Sequence, residues 1–441
     1  MKVNKILAAL AVSAGFLAVS CEDQPDAFVA TEGLPELHYV RYADQDIMIE
    51  QAYMEEAICL VGDNLRSINQ LWFNDQQAIL NTSYMTSNTL IVNVPKEMPV
   101  VQTDMIYMIT AAKDTVTYPF KVLAPAPVIK SMSCEMAPQG TEATIYGDFF
   151  SEPVTVEFAN ATVENFTSIT KTALTFIVPE AALPGKVKIT TASGTTASPF
   201  MYMDNRGIMF DFDDDGDAAL ATNASNCWHA RTITTDDNAV SGNYVQLGDG
   251  STMLNENADW NDGLYAFEYW CGDWNSPQNI TSGAGPALFN LVDFSDYSKM
   301  SLKFEMNIPA ETPWKAGAMQ IAFQPVSQVT ISGNPIDGFA AVAGANAYAF
   351  NGEQNDLGNW SRALYRPWEA SGEYHTDGKW ITVTIPMSEF SFNKDGGPAT
   401  MPISSPNDFA SLTMFVLGGG VTGAECCPII KIDNIRAVPS K

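Results

Sequence analysis

The sequence predicts an all-β chain, with two small repeated β-sandwiches followed by a larger one. Three observations carry this. The apolar stretches are short and separated by Gly, Pro, Asn and Asp, without the 3.6-residue periodicity of amphipathic helices. A segment in the first half recurs at an offset of 85 residues. From Gly207 onward the texture changes, and eight of the nine tryptophans fall between Trp228 and Trp380. At 441 residues the chain exceeds what one core holds, so several domains are needed.

At the N-terminus, Lys2 and Lys5 precede an apolar run from Ile6 to Val19, with Cys21 just beyond. That run is shorter than the ~20 residues needed to span a bilayer, and it fits the apolar centre of a signal peptide over residues 1–20. Leu17-Ala18-Val19-Ser20-Cys21 resembles a bacterial lipobox, departing from it at Ala18, where leucine is usual. The resemblance implies that Cys21 is lipidated and begins a linker over 21–34, with two or three acyl chains for stable anchoring. Glu22, Asp23 and Asp26 resemble the acidic tag of lipoproteins exported to the Bacteroidetes surface, implying a lipid-anchored protein on the outer membrane.

The 51 acidic and 23 basic residues give a formal charge of −28, which repels phosphate backbones and argues against nucleic acid as a partner. A hydrophobic fraction of 46% is that of folded domains. The cysteines other than Cys21 are Cys59, Cys134, Cys227, Cys271, Cys426 and Cys427, and none forms a CxxC pair of the metal-binding kind. Export permits disulfides, and small buried thiols fit the sequence equally well.

The repeat begins where Leu60-Val61-Gly62-Asp63-Asn64-Leu65 is answered by Ile145-Tyr146-Gly147-Asp148-Phe149-Phe150. Leu71-Trp72-Phe73-Asn74 then matches Val156-Glu157-Phe158-Ala159, Leu90 to Pro95 matches Leu174 to Pro179, and Tyr118-Pro119-Phe120 matches Ser198-Pro199-Phe200. Short β-branched runs between turn residues read as an antiparallel sandwich in each copy, over 35–124 and 125–204. The Gly-Asp turn, the strand ending in Val-Pro and the Pro-Phe strand resemble the immunoglobulin-like IPT/TIG domain, a module that usually serves as a spacer. Trp72 reads as core.

The third domain, 205–441, opens on Ile208-Met209-Phe210-Asp211-Phe212 and closes on Ile429 to Arg436, with strand-like runs between, such as Ser301–Met306, Met319–Phe323 and Trp380–Ile385. These predict a larger, jelly-roll-like sandwich. Its ends resemble those of carbohydrate-binding jelly rolls. With the lipobox and the tandem modules, the whole chain resembles the B-type surface glycan-binding proteins of Bacteroidetes polysaccharide-utilisation systems, and Trp380 to Ser388 is similar to a stretch of their xyloglucan-binding domain. The resemblance implies a non-catalytic binder of a neutral polysaccharide, of β-glucan or xyloglucan type, with an outer-membrane glycan transporter as a further partner.

A pyranose ring presents a face of C–H groups and a rim of hydroxyls, so binding it calls for flat aromatic surfaces beside planar polar groups. Covering about 60 Å² of sugar face contributes roughly 1.5 kcal/mol per ring. The densest aromatic cluster is Trp260, Tyr265, Phe267, Tyr269, Trp270 and Trp274, interleaved with Asn and Asp. Tyr269 and Trp270 are adjacent, which sends them to opposite faces in a strand and lets both reach a ligand in a loop. The family resemblance favours an adjacent Tyr-Trp platform. Trp228, in a polar segment with His229 and Arg231, is a further candidate, and core packing competes at every one of these positions. Trp360, Tyr365, Arg366, Trp368 and Tyr374 form a second group, in which Arg366 offers donors to sugar hydroxyls. Trp314 and Trp380 read as core.

No cofactor is implied. Asp211-Phe212-Asp213-Asp214-Asp215-Gly216 fits the first half of an EF-hand loop, but Thr222 stands where a bidentate Glu is required. A structural calcium and a solvated acidic turn are the two readings. A surface glycoside hydrolase is the main functional rival, since acids are plentiful, although neither βα alternation nor a G-x-S-x-G motif supports it. A structural adhesin lipoprotein would explain the spacers but not the tryptophans.

Overall fold

The computed structural model describes residues 28–99, 101–213, 232–259, 263–269, 271, 285–325 and 357–440. The chain divides into two compact units, Met1–Pro125 and Ala126–Lys441. Regular structure among the described residues is β-strand, punctuated by single 3₁₀ turns.

In the first unit one sheet joins Met48–Ile49, Glu36–Tyr42, Ala57–Asp63 and Thr89–Asn93, and another joins Gln76–Gln77, Ile68–Phe73, Met105–Thr110 and Thr115–Pro119. The two-residue period of the strands turns Leu71 and Phe73, Leu90 and Val92, and Ile106 and Met108 into one shared core. The same period turns Trp72 outward. It is half-buried beside Tyr107, with Nε1 donating to Gln70 Oε1 at 3.2 Å, which corrects its reading as a core residue.

The repeated Gly-Asp pair lies at a strand end, where a neighbouring backbone presses close. A Cβ on Gly62 would stand 2.0 Å from the Glu36 carbonyl oxygen, and one on Gly147 would stand 1.9 Å from that of Val128. Two residues later, Asn64 and Phe149 both take left-handed backbones, with φ of 55° and 58°. The duplicated sequence thus encodes a duplicated close approach and exit from the strand.

Within the second unit, residues 126–204 build two sheets of their own. Val128–Met132, Glu142–Asp148, Ala173–Ile177 and Ser168–Thr170 form one, and Ala161–Val163, Thr155–Ala159, Leu183–Thr191 and Gly194–Tyr202 the other. Ile145, Val156, Phe176 and Tyr202 belong to the core they enclose. The larger sandwich follows. One of its sheets runs Thr232–Thr234, Tyr244–Leu247, Ile430–Pro439, Met300–Asn307 and Ile381–Pro386, and Ile208–Phe210 also pairs with Ile430–Pro439. The opening and closing strands of this domain are therefore neighbours. The other sheet runs Ala266–Tyr269, Ser411–Val416, Met319–Gln324 and Ala363–Tyr365. Between the sheets lie Phe210, Phe304, Ile321, Phe323, Leu412 and Ile432, with Trp314 buried among them as expected.

The sequence boundary at residue 204 falls inside this unit, because ionic groups join its two sides. Lys303 and Glu305 point out of the larger sheet, with Arg436 and Asp433 as their cross-strand partners. All four are buried. Glu135, carried by the small module, enters this face and accepts from Lys303 Nζ at 2.6 Å and from Arg436 Nη2 at 3.3 Å. Arg436 also grips Glu305 in a two-point pair, at 2.6 and 3.1 Å. Burial alone would push the Arg436 guanidinium down, yet Glu305 and Glu135 hold it above its usual value. Thr382 closes the ring, donating to Glu305 Oε1 at 2.8 Å and accepting from the Glu135 backbone N–H at 2.6 Å.

Asp433 is left without a cation of its own. Burial, and then the nearby Glu305 and Asp213 carboxylates, push its carboxyl up to about 8, against the hydrogen bonds from Ser241 and the Asn434 N–H.

Two outcomes follow from this junction. Glu135→Ala removes one partner of a desolvated cluster and should destabilise the unit by about 3–5 kcal/mol in urea unfolding of the full chain. An exposed pair would cost under about 1 kcal/mol. Asp433 keeps its proton in the folded chain from about pH 4, where the unfolded carboxyl loses it, to about pH 8. Its contribution to stability is therefore present in acid and lost as pH rises, by up to about 1.4 kcal/mol per unit. Asp433→Asn should flatten the fall in melting temperature across this window, and an unchanged slope would assign the fall to other groups.

Candidate functional site

The two sheets of the larger sandwich use their outer faces differently. The sheet containing Met300–Asn307 presents Lys303 and Glu305 to Glu135, as described above. In the other sheet, alternation sends Met319, Ile321 and Phe323 inward and leaves Gln320, Ala322 and Gln324 outside. Along Ser411–Val416 it leaves Ser411, Thr413 and Phe415 outside, and along Ala266–Tyr269 it leaves Glu268.

These polar groups are buried and bonded. Arg362 Nη1 donates to Gln320 Oε1 at 2.9 Å, while Gln320 Nε2 donates to the carbonyls of Leu417 at 2.6 Å and Lys394 at 3.1 Å. Thr413 Oγ1 donates to Gln324 Oε1 at 3.1 Å. Such a network gives the sheet a rigid polar floor, since each planar group is oriented by at least one partner.

The candidate aromatic segments join this sheet at opposite ends. At the Val416 end, Val416 N donates to Tyr265 O and Gly418 N to Ala258 O, each at 3.0 Å, so the chain on both sides of Trp260 is tied there. At the Ser411 end, Tyr269 pairs with Leu412, and Cys271 N donates to Ser411 Oγ at 2.9 Å, so the chain around Trp270 is tied there. From Leu412 to Val416 a strand rises about 13 Å. Trp228, Trp260, Trp270 and Trp274 themselves lie outside the described residues, as does Cys21.

Tyr269 is not a platform. Its ring is 1% exposed and packs against Phe210 in an edge contact with centroids 5.1 Å apart, and its hydroxyl donates to Pro286 O at 2.6 Å. Burial holds that hydroxyl well above the usual tyrosine range. The reason is the strand itself: its period puts Phe267 and Tyr269 on the core side.

The second aromatic group is also mostly core. Trp360 and Trp368 are buried, with their indole N–H groups donating to Phe323 O and Gly317 O respectively. Arg366 turns Nη1 to Gly419 O and sets Nε 3.3 Å from Glu369 Oε2. It braces the loop Gly418–Gly420, whose three residues all take positive φ, and so spends Nη1 on the fold, while Nε is buried without a hydrogen-bond acceptor.

Of the acidic run, Asp211 and Asp213 are described, and Asp213 Oδ1 accepts from Asn243 N at 2.6 Å; Asp214 to Gly216 lie outside the described residues. Among the described residues, metal-type ligands gather at Glu36, His38 and Asp63, an exposed group in the first unit with His38 Nε2 3.3 Å from Asp63 Oδ2. The five described cysteines are free thiols, and four of them are buried.

Sequence reasoning missed the polar floor. Its signal was present, since amides and hydroxyls occupy alternate positions in Met319–Gln324 and Ser411–Val416. Tyr269→Ala should lower stability by about 3–5 kcal/mol, as a large core ring does, without weakening saccharide binding by the protein that remains folded. Unfolding curves and binding isotherms on this variant check both halves of that statement.

Comparisons with known proteins bear on the family and the fold. Residues 202–439 match the family profile described as the surface glycan-binding protein B xyloglucan binding domain. The crystal structure of surface glycan-binding protein PbSGBP-B from Prevotella bryantii is similar over 94% of this chain and 100% of that one, at 43% identity and a TM-score of 0.77. An IPT/TIG domain-containing protein of Bacteroides ovatus is 29% identical over 148 residues, which covers 31% of this chain and 29% of that protein. The chain therefore spans less than a third of the length of that curated relative.

Proposed function

The chain belongs to the surface glycan-binding protein B family, an all-β assembly with IPT/TIG-type modules, and from that premise we propose that it is a non-catalytic, lipid-anchored protein of the outer membrane. It captures a neutral polysaccharide of xyloglucan or β-glucan type at the cell surface and holds it for a polysaccharide-utilisation system and its transporter. The observation that carries this reading is the match of residues 202–439 to a xyloglucan-binding domain.

The polar floor and the ties at its two ends support a site on the outer sheet of the C-terminal sandwich. Trp270, next in sequence to the core-facing Tyr269 and flanked by chain tied to this sheet, is the leading platform residue. Trp260, Trp274 and Trp228 supply further ring faces. Two or three stacked rings, less the cost of ordering the glycan, correspond to affinities of about micromolar to millimolar. An uncharged ligand also suits a chain of net charge −28.

Affinity gels containing xyloglucan or mixed-linkage glucan test the reading directly, and the same mixtures assayed for new reducing ends test hydrolysis. Retardation without new ends is expected. Unretarded migration, or release of reducing sugar, would contradict the proposal. Trp270→Ala should weaken binding at least about tenfold, or ~1.4 kcal/mol, while the melting temperature holds. Cys21→Ala should move the protein from the membrane fraction to the soluble one with glycan binding intact.

A further inference from the structure

A crevice of about 480 Å³ lies between the second immunoglobulin-like module and the C-terminal sandwich, away from the outer sheet. The module contributes Thr141, Thr144 and Tyr146 to its walls, and the sandwich contributes Asp237, Asn238 and Trp380. This size falls within the range of small-ligand sites. Tyr146 is 46% exposed and stands on the outward side of Glu142–Asp148. Trp380, expected in the core, is half-buried at this junction instead. Its indole N–H donates to Asn238 O, and Tyr244 meets its ring edge-on with centroids 5.5 Å apart. A ring held in this way loses little freedom when a ligand packs on it.

The walls are fixed relative to each other. Glu135 is bound into the cluster of Lys303, Arg436 and Glu305, and Thr382 N donates to Ser133 O at 2.9 Å. Lys379 Nζ lies 3.3 Å from Glu142 Oε1, joining the two sides again. With that pair mutually neutralised, Asp237 is the remaining charged side chain among the lining residues. Aromatic rings, threonine hydroxyls and an asparagine, with little net charge, match an uncharged ring rich in hydroxyls better than a strong anion or cation.

A pure spacer needs neither a buried ionic anchor nor an aromatic wall facing its neighbour. We infer that this crevice is a second saccharide-binding site, built jointly by the two domains and taking a neutral glycan; the inference rests on the reading of the chain as a glycan binder. The second module is then half of a binding site.

The test uses the full mature chain labelled with 5-fluorotryptophan, with the Trp380 resonance assigned through Trp380→Phe. A xyloglucan oligosaccharide is titrated into the Trp270→Ala variant, so that the proposed primary site is weakened. The Trp380 fluorine resonance should shift and saturate. Adding Tyr146→Ala should weaken that response at least about fivefold, Tyr146→Phe should retain it, and the exposed position of Tyr146 should leave the melting temperature unchanged. In the otherwise wild-type chain, Tyr146→Ala should leave binding at the primary site intact. An unmoved Trp380 resonance in a chain whose wild type binds the oligosaccharide overturns the second site alone. A wild type that binds no glycan overturns the functional reading and this inference together.

Discussion

Arg436 is wholly buried, and its charge has to be answered by protein groups because water cannot reach it. Glu305 on the adjacent strand supplies one carboxylate, and Glu135, 301 residues away in sequence, supplies the other. Lys303 balances the second carboxylate, so two cations and two anions form a neutral group sealed beneath the small module. A buried cluster of this kind contributes less to net stability than its Coulomb attraction suggests, because desolvation offsets most of it. What it supplies is position: moving the module away would leave Lys303 without Glu135 and Arg436 without one of its two carboxylates. Burial, with no cation beside it, pushes the Asp433 carboxyl up to about 8.

The division of labour between the two sheets follows from that anchoring. One outer face is covered by the module, and the other sheet, with its bonded amides and guanidinium, is the one to which the described chain flanking Trp260 and Trp270 is tied. The floor residues are too engaged to be strong ligand donors themselves. Their contribution is rigidity of the sheet itself, because each planar group is oriented by a bonded partner.

Much of the fold was legible because repetition and alternation are direct physical signals. Gly62 and Gly147 mark the same backbone approach twice, and Ile208–Phe210 pairs with the closing strand as its sequence suggested. The site was less legible. Tyr269 and Trp368 have the composition of a sugar platform, yet burial is decided by strand phase and by which backbone carbonyl their polar atoms can reach, and neither is visible in a list of aromatics. Trp72 failed in the opposite direction, because its neighbours Leu71 and Phe73 take the core positions. Glu135 carried no signal at all, since nothing local in Cys134-Glu135-Met136 distinguishes a solvated glutamate from one that crosses a domain boundary.

The central claim is that glycan is held by the loops at the ends of the outer sheet, on a sandwich already rigid before the ligand arrives. Hydrogen–deuterium exchange of the full mature chain, with and without a saturating xyloglucan oligosaccharide, tests it most directly. The account predicts new protection in peptides covering residues 257–284, with the junction peptides 133–136 and 430–438 strongly protected in both states. Protection confined to residues 28–125, or a junction that becomes protected only when the oligosaccharide is added, would contradict it.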